Sequence, residues 1–256
     1  MMPVRNMFAV FCTLFLVNLV YAKEFKPLPN KKINWSFNGI TGFFDRESIQ
    51  RGYKVYKEVC AACHSMNKIA FRNLQDIGFS EEDIKQIASS YQVKDGPNDL
   101  GEMFDRPGIP SDYFIAPFNT KEAAAASNNG AVPPDLSLII KARHDGANYV
   151  YSLLTGYQNS KQDENNLYFN PYFPTGKLAM APPLFEGIVE YNSTKKQATV
   201  ENMSYDIVNF LQWAAEPELE HRHKLGFKVI AYLIILTTLF ILTNNKVWSK
   251  LYKNRK

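Results

Sequence analysis

Two of the chain's three cysteines and one of its four histidines fall in one five-residue window, Cys60-Ala61-Ala62-Cys63-His64. The third cysteine is Cys12, and the other imidazoles are His144, His221 and His223. A Cys-x-x-Cys pair alone serves as a redox dithiol, half of a zinc site or a structural disulfide. Structural zinc takes four ligands, and no cysteine follows Cys63. A thioredoxin-like dithiol sits after a strand in a βαβ unit, whereas the residues before Cys60 carry helical spacing. The histidine directly after the second cysteine decides the matter. Thioether bonds from Cys60 and Cys63 to the vinyl groups of a haem fix it against this turn, and His64 then lies under the iron as proximal ligand. One covalently attached haem c is the expected cofactor.

The iron then needs a sixth ligand, or an open position if the protein is a catalyst or a gas binder. Met66, Met103, Met180, Met203 and the three other histidines are the donors at hand. Met66 is too close to His64 to reach the opposite haem face. Met203 sits on an apolar helical stripe, where core packing explains it better, and His221 and His223 border a long apolar segment. Met103 and His144 stay open. Met180 is preferred, because Pro182-Pro183 stiffens an extended loop that presents a thioether without a competing helix. His and Met ligation raises the reduction potential, which suits electron transfer, and a closed iron has no place for a substrate.

Both ends of the chain read as membrane signals. Residues 1–22 combine Arg5, an apolar run from Met7 to Val20 and a small-residue end, the pattern of a secretory signal cut after Ala22. Export suits covalent haem attachment, and Cys12 would leave with the signal. Residues 225–243 carry one charge, Lys228, and about 20 apolar residues suffice to span a bilayer as a helix. A basic tail follows. The expected topology is an exported domain over residues 23–220 and an anchor over residues 221–256 that leaves its C-terminus in the cytoplasm. The leader is neither long nor Arg-rich and Ser-rich, which favours a bacterial inner membrane with the domain in the periplasm over a mitochondrial precursor.

The formal charge of +4 hides an asymmetry. Nine of the 29 basic residues and none of the 25 acidic ones lie in residues 1–22 and 221–256, so residues 23–220 are about five charges negative. Nucleic acid is thereby disfavoured as a partner and a basic protein favoured. The acids gather at Asp76, Glu81, Glu82 and Asp83, and again at Asp95, Asp99, Glu102 and Asp105.

Helical spacing runs from Ser48, taken as a cap, through Ile49, Gly52, Tyr53, Tyr56 and Val59 into Cys60. A second helix carries Met203, Ile207, Phe210, Leu211 and Ala214 and stops before Pro217. Gly52 suits a close crossing of the two. Between them the spacing predicts a short helix at KEAAAAS, a helix from a cap at Asp135 through Lys141, another over GANYVYSLLTG, and otherwise long loops rich in Gly and Pro. Loops of that length need something to enclose, and a haem provides it.

The stretches CAACH, GEMFDRPGIPSDYF, NNGAVPPDLSLIIKARH, YVYSLLTGY, LYFNPYFP, AMAPP and FLQWAAEPE, followed by a single apolar span, together resemble the cytochrome c1 family, the haem subunits of quinol-oxidising cytochrome bc1 complexes. The resemblance runs from about residue 50 to 243. It implies that Met180 is the axial methionine, that Arg143 and Tyr149 contact a haem propionate, that the Pro134 carbonyl accepts from His64, and that Asn128 joins the propionate network. Residues 157–166 carry no family pattern. The implied fold is mainly α, a class I cytochrome c-like haem domain with long loop insertions plus one C-terminal transmembrane helix. The implied function is transfer of electrons from a Rieske iron-sulfur protein to a soluble or tethered cytochrome c, within a dimeric complex that includes cytochrome b and moves protons. The chain would not be an enzyme by itself. Two rivals stand beside this: a haem subunit of another respiratory complex, and a ligand-binding or peroxidatic haem protein with an open iron.

Overall fold

The computed structural model describes residues 25–158, 161–191 and 196–253, so the expected signal over residues 1–22 lies outside the described residues. Helix α1 (Arg46–Glu58) lies against helix α5 (Val200–Ala215), and this pair is the base of the fold. Each starts on a side-chain cap. The Asp45 carboxylate accepts from Ser48 N–H at 3.2 Å, and Thr199 Oγ1 accepts from Asn202 N–H at 3.2 Å. Ser48 is therefore not the cap expected from sequence; it lies inside the first turn, fully buried, and its hydroxyl donates to Asp206 at 2.6 Å.

The two helices touch at Gly52. A Cβ there would stand 2.1 Å from the Asp206 carbonyl oxygen and 2.8 Å from the Phe210 Cβ, so only glycine admits this approach. Tyr53 and Tyr56 of α1 meet Phe210 with ring centroids 5.7 and 5.6 Å apart, and Phe114 and Phe71 extend the aromatic layer. At the same crossing, Asp206 is a fully buried carboxylate with every lone pair engaged. It accepts from Ser48, from Arg51 Nε at 2.8 Å and Nη2 at 3.1 Å, from Tyr191 OH at 2.9 Å and from Lys196 Nζ at 2.8 Å.

Short elements fill the interval. A 3-10 segment (Phe71–Ile77) precedes α2 (Glu81–Ser89), which opens on a reciprocal Ser80–Asp83 capping box. An antiparallel ribbon follows, β1 (Gln92–Asp95) with β2 (Phe104–Pro107), where the sequence suggested only loop. Arg106 braces it, bonded to Asp95 and, through Nη1 at 2.7 Å, to Asp112. Helix α3 (Lys121–Ser127) is the predicted KEAAAAS helix, and α4 (Gly146–Leu154) the predicted GANYVYSLL one. The segment from Leu136 to Ala142 forms successive turns and not the expected helix. Its N–H groups close local turns, Ile139 on Leu136 O at 3.3 Å and Lys141 on Leu138 O at 3.0 Å, while its start is tied to the chain after His64: Leu136 N–H donates to Ser65 O at 2.9 Å, and the Asp135 carboxylate takes Asn67 N–H and Ser65 Oγ–H, both at 2.8 Å, besides Ser137 N–H. A two-residue ribbon, β3 (Tyr168–Phe169) with β4 (Lys177–Leu178), again falls where loop was expected.

Helix α6 (Leu219–Lys253) starts six residues before the predicted span and continues beyond it. It is long and apolar enough to cross a membrane, and none of its apolar window is buried in the protein. Glu220 ties its first turn to the head by accepting two bonds from Arg46, at 3.0 and 2.8 Å, and one from Phe44 N–H at 2.7 Å. Thr238 and Thr243 turn their hydroxyls back to helical carbonyls, as polar side chains in lipid require.

Candidate functional site

Helix α1 ends at Glu58 and the chain tightens into a 3-10 turn, Cys60–Ala62, closed by Cys63 N–H and His64 N–H on the Cys60 carbonyl at 3.1 and 2.9 Å. The turn sets both sulfurs and the imidazole on one short, rigid stretch. Cys60 is half-buried and Cys63 exposed. Burial, with the neighbouring Cys63 second, pushes the Cys60 thiol up to about 12, which disfavours the thiolate that a redox dithiol needs.

His64 Nδ1 lies 2.8 Å from the Pro134 carbonyl oxygen. A carbonyl only accepts, so the proton sits on Nδ1 and Nε2 keeps its lone pair. Burial lowers the pKa of this imidazole, against opposing contributions from the Pro134 bond and the Asp135 charge, a direction that favours the neutral ring a metal ligand requires. Asp135 itself stays below the ordinary carboxylate range: burial alone would raise it, and the bonds from Asn67, Ser137 and Ser65 more than offset that. The same carboxylate therefore fixes Pro134 against the chain leaving His64.

The candidate sixth ligands separate by environment. Met66 and Met203 are fully buried in the core, Met103 is exposed on the β2 side of the ribbon, and His144 is exposed. Met180 is half-buried, two residues beyond β4, with its carbonyl accepting from Tyr157 OH at 2.9 Å. Tyr157 closes the YVYSLLTGY stretch, but nothing in the sequence assigned it a role toward Met180. Gly156 is needed there for space, since a Cβ would lie 2.4 Å from the Tyr172 ring.

Arg143 and Tyr149 are brought together. The guanidinium is exposed and the phenol half-buried; burial raises the phenol's pKa and the nearby Arg143 charge holds it back. Arg143 also donates to Ala142 O at 3.1 Å. Asn128 stands at the end of α3 and donates to Ala124 O at 2.7 Å, which leaves its second amide hydrogen and its oxygen available.

Among the described residues no cluster of three or more His, Cys, Asp or Glu side chains is placed to hold a metal ion by itself. The donor set instead fits a haem: two sulfurs on one turn, an imidazole with Nδ1–H committed to a carbonyl, a half-buried thioether on the loop after β4 and a fork of donors suited to a carboxylate.

Comparison with known proteins agrees. Residues 35–251 match the Cytochrome C1 family. The chain is 43% identical to cytochrome c1 of Rhodospirillum rubrum over 236 residues, covering 85% of this chain and 86% of that one. It is 46% identical to the mitochondrial cytochrome c1 haem protein of Schizosaccharomyces pombe over 226 residues, covering 87% and 73%. It is also 45% identical to the cytochrome b/c1 of Bradyrhizobium diazoefficiens, covering 88% of this chain and 36% of that longer one.

Proposed function

The chain belongs to the cytochrome c1 family, and from that premise we propose a residue-level assignment of its haem site and a route for its electrons. Membership gives the general function: a membrane-anchored electron-transfer subunit of a cytochrome bc1 complex, carrying one covalent c-type haem and performing no bond-making catalysis of its own. When bound, the haem supplies the one-electron iron couple.

Cys60 and Cys63 form the two thioethers, His64 binds through Nε2 and Met180 through sulfur. The observation that carries the assignment is the bond between His64 Nδ1 and Pro134 O at 2.8 Å. It fixes the tautomer, sets the ring plane and makes the imidazole a better donor. Arg143 and Tyr149 pair with a propionate, and Asn128 adds an amide to that network through the groups it does not spend on Ala124. The head domain over residues 23–220 faces the periplasm of a bacterial inner membrane, and the C-terminus of α6 lies in the cytoplasm. Within a dimeric complex containing cytochrome b, electrons arrive from a Rieske iron-sulfur protein and leave to a cytochrome c.

The acidic surface suits a basic acceptor. Asp83 is occupied in capping α2, Asp95 in holding Arg106 and Glu82 pairs with Lys85 at 4.0 Å, so the groups left to steer are Asp76 and Glu81 in one cluster and Asp99, Glu102 and Asp105 in the other.

The test is the absorption spectrum of the purified protein, reduced and oxidised, with and without carbon monoxide, for wild type and Met180→Leu. A low-spin wild type indifferent to carbon monoxide, beside a mutant that binds it, supports the assignment. A wild type that already binds carbon monoxide has an open iron and sinks it in favour of a ligand-binding haem protein.

A further inference from the structure

We propose that the extended segment from Phe25 to Ile33 is a strap that holds the Met180 loop closed over the iron, an inference that rests on Met180 being the sixth ligand. The ribbon β3–β4 leads directly into that loop, yet it has only two residue pairs, Tyr168 with Leu178 and Phe169 with Lys177. So short a two-stranded ribbon does not hold by itself and needs support from outside. On the α4 side it is held by its own Asn170 amide, which donates to Leu153 O at 2.8 Å. From the other side it receives the strap. Leu28 N–H donates to Pro171 O at 2.8 Å, and Phe25 stands edge-on to Phe169 with centroids 6.1 Å apart. The Phe25 ring also fills the space above Gly176, where a Cβ would lie 3.0 Å from it.

The strap is in turn fastened to α4. Lys31 N–H donates to Ser152 Oγ at 2.8 Å, its ammonium to Thr155 Oγ1 at 2.7 Å, and Ile33 N–H to Asn148 Oδ1 at 3.1 Å. The Lys31 ammonium lies over the Tyr151 and Tyr172 rings, 5.9 and 5.6 Å from their centroids. Pro27 and Pro29 flank Leu28 and keep it extended, which lowers the entropy cost of ordering the strap. Phe25, Leu28 and Lys31 are thus positioning residues for the iron's ligand, acting through the ribbon.

The experiment uses the full-length, haem-loaded protein and titrates the oxidised form with imidazole, reading displacement of the thioether from the absorption spectrum. Imidazole binds only the open loop, so its apparent affinity scales with the open fraction. In Phe25→Ala/Leu28→Pro the imidazole concentration at half-displacement is expected to fall about tenfold, equivalent to about 1.4 kcal/mol. Leu28→Pro removes one donor and keeps the backbone extended, because Pro29 already restricts residue 28. Lys85→Ala, an exposed α2 side chain far from the strap in sequence and paired with Glu82 of its own helix, serves as the control and is expected to match wild type. Should the double variant accumulate poorly, Leu28→Pro alone reads the same equilibrium with an expected shift of about threefold. A half-displacement concentration within twofold of wild type in both strap variants overturns the inference, even if their melting temperature falls. Met180→Leu separates the two levels: if it binds imidazole no more tightly than wild type, the ligand assignment itself fails; if it binds freely while the strap variants do not change, only the strap fails.

Discussion

Replacing Gly52 with alanine tests the packing that sets the haem-bearing turn. The new Cβ would lie 2.1 Å from the Asp206 carbonyl oxygen, 2.7 Å from its carbon and 2.8 Å from Phe210 Cβ, where ordinary contact begins near 3.4 Å. The obstacle is the backbone of α5, so no side-chain rotation relieves it and the helices must part by about 1.3 Å along that line. Overpacking of this kind costs about 1–3 kcal/mol, and parting also loosens Tyr53 and Tyr56 from Phe210, which places Gly52 near the top of the range. Alanine returns about 1 kcal/mol as the better helix former. The net expectation is a loss of about 2 kcal/mol, or a melting temperature lower by about 4–8 °C for a chain of this size. Circular dichroism of the purified protein against temperature measures it. Gly226→Ala provides the comparison, because nothing lies within 4 Å of that position and only the propensity gain applies. A Gly52→Ala protein that melts at or above wild type would refute the close crossing.

Asp206→Ala strips the carboxylate from beneath Arg51 and Lys196 and should cost about 3–5 kcal/mol in the same assay, with Asp206→Asn intermediate because it keeps an acceptor; a loss under about 1 kcal/mol would show that the two cations find solvent without it. Asp112 is held below its ordinary pKa by Arg106, so its contribution is present above the unfolded value near 3.9 and is lost as the pH falls through the lower folded value. The difference in melting temperature between wild type and Asp112→Asn should therefore be constant at neutral pH and shrink below about pH 4, and a difference that grows there contradicts the sign. Reduction of a basic cytochrome c should slow as ionic strength rises, with a shallower slope in Asp99→Asn/Glu102→Gln/Asp105→Asn if that face docks the acceptor; identical slopes would point to the Asp76 and Glu81 cluster.

The attachment chemistry was legible because it is local: two sulfurs and an imidazole within five residues need no tertiary information. The α1–α5 pair was legible for a related reason, since Ile49, Tyr53 and Tyr56 and then Met203, Ile207 and Phe210 repeat at the helical period and Gly52 marks the crossing. Ser48 misled because a serine before an apolar run looks like a cap, while Asp45, three residues earlier, held that position and freed Ser48 for Asp206. The turns from Leu136 to Ala142 carry helix-like spacing, but their start is tied down by Leu136 N–H on Ser65 O and by the Asp135 carboxylate on Asn67 and Ser65, contacts that no local pattern reveals. The same holds for Tyr157 on Met180 and for the strap. Both are contacts between distant segments without period or motif.

The two sides of the proposed iron site are built differently, and this has a dynamic consequence. The largest fully buried side chains cluster in α1, α5 and the stretch from Met66 to Ile77, so His64 and the cysteine turn rest on the most deeply packed part of the protein. Met180 hangs from a ribbon of two residue pairs, secured by the buried Asn170 amide on Leu153 and by single hydrogen bonds from the half-buried Tyr157 and the exposed Leu28. Local opening is cheapest where buried apolar contacts are few, so the thioether side should release before the helices do. On heating the oxidised protein, the spectroscopic signature of methionine ligation should vanish several degrees below the loss of helical circular dichroism, with Cys60, Cys63 and His64 still engaged. Coincident transitions would mean that the loop is as firmly held as the helix pair, and that the strap and ribbon are part of one cooperative core.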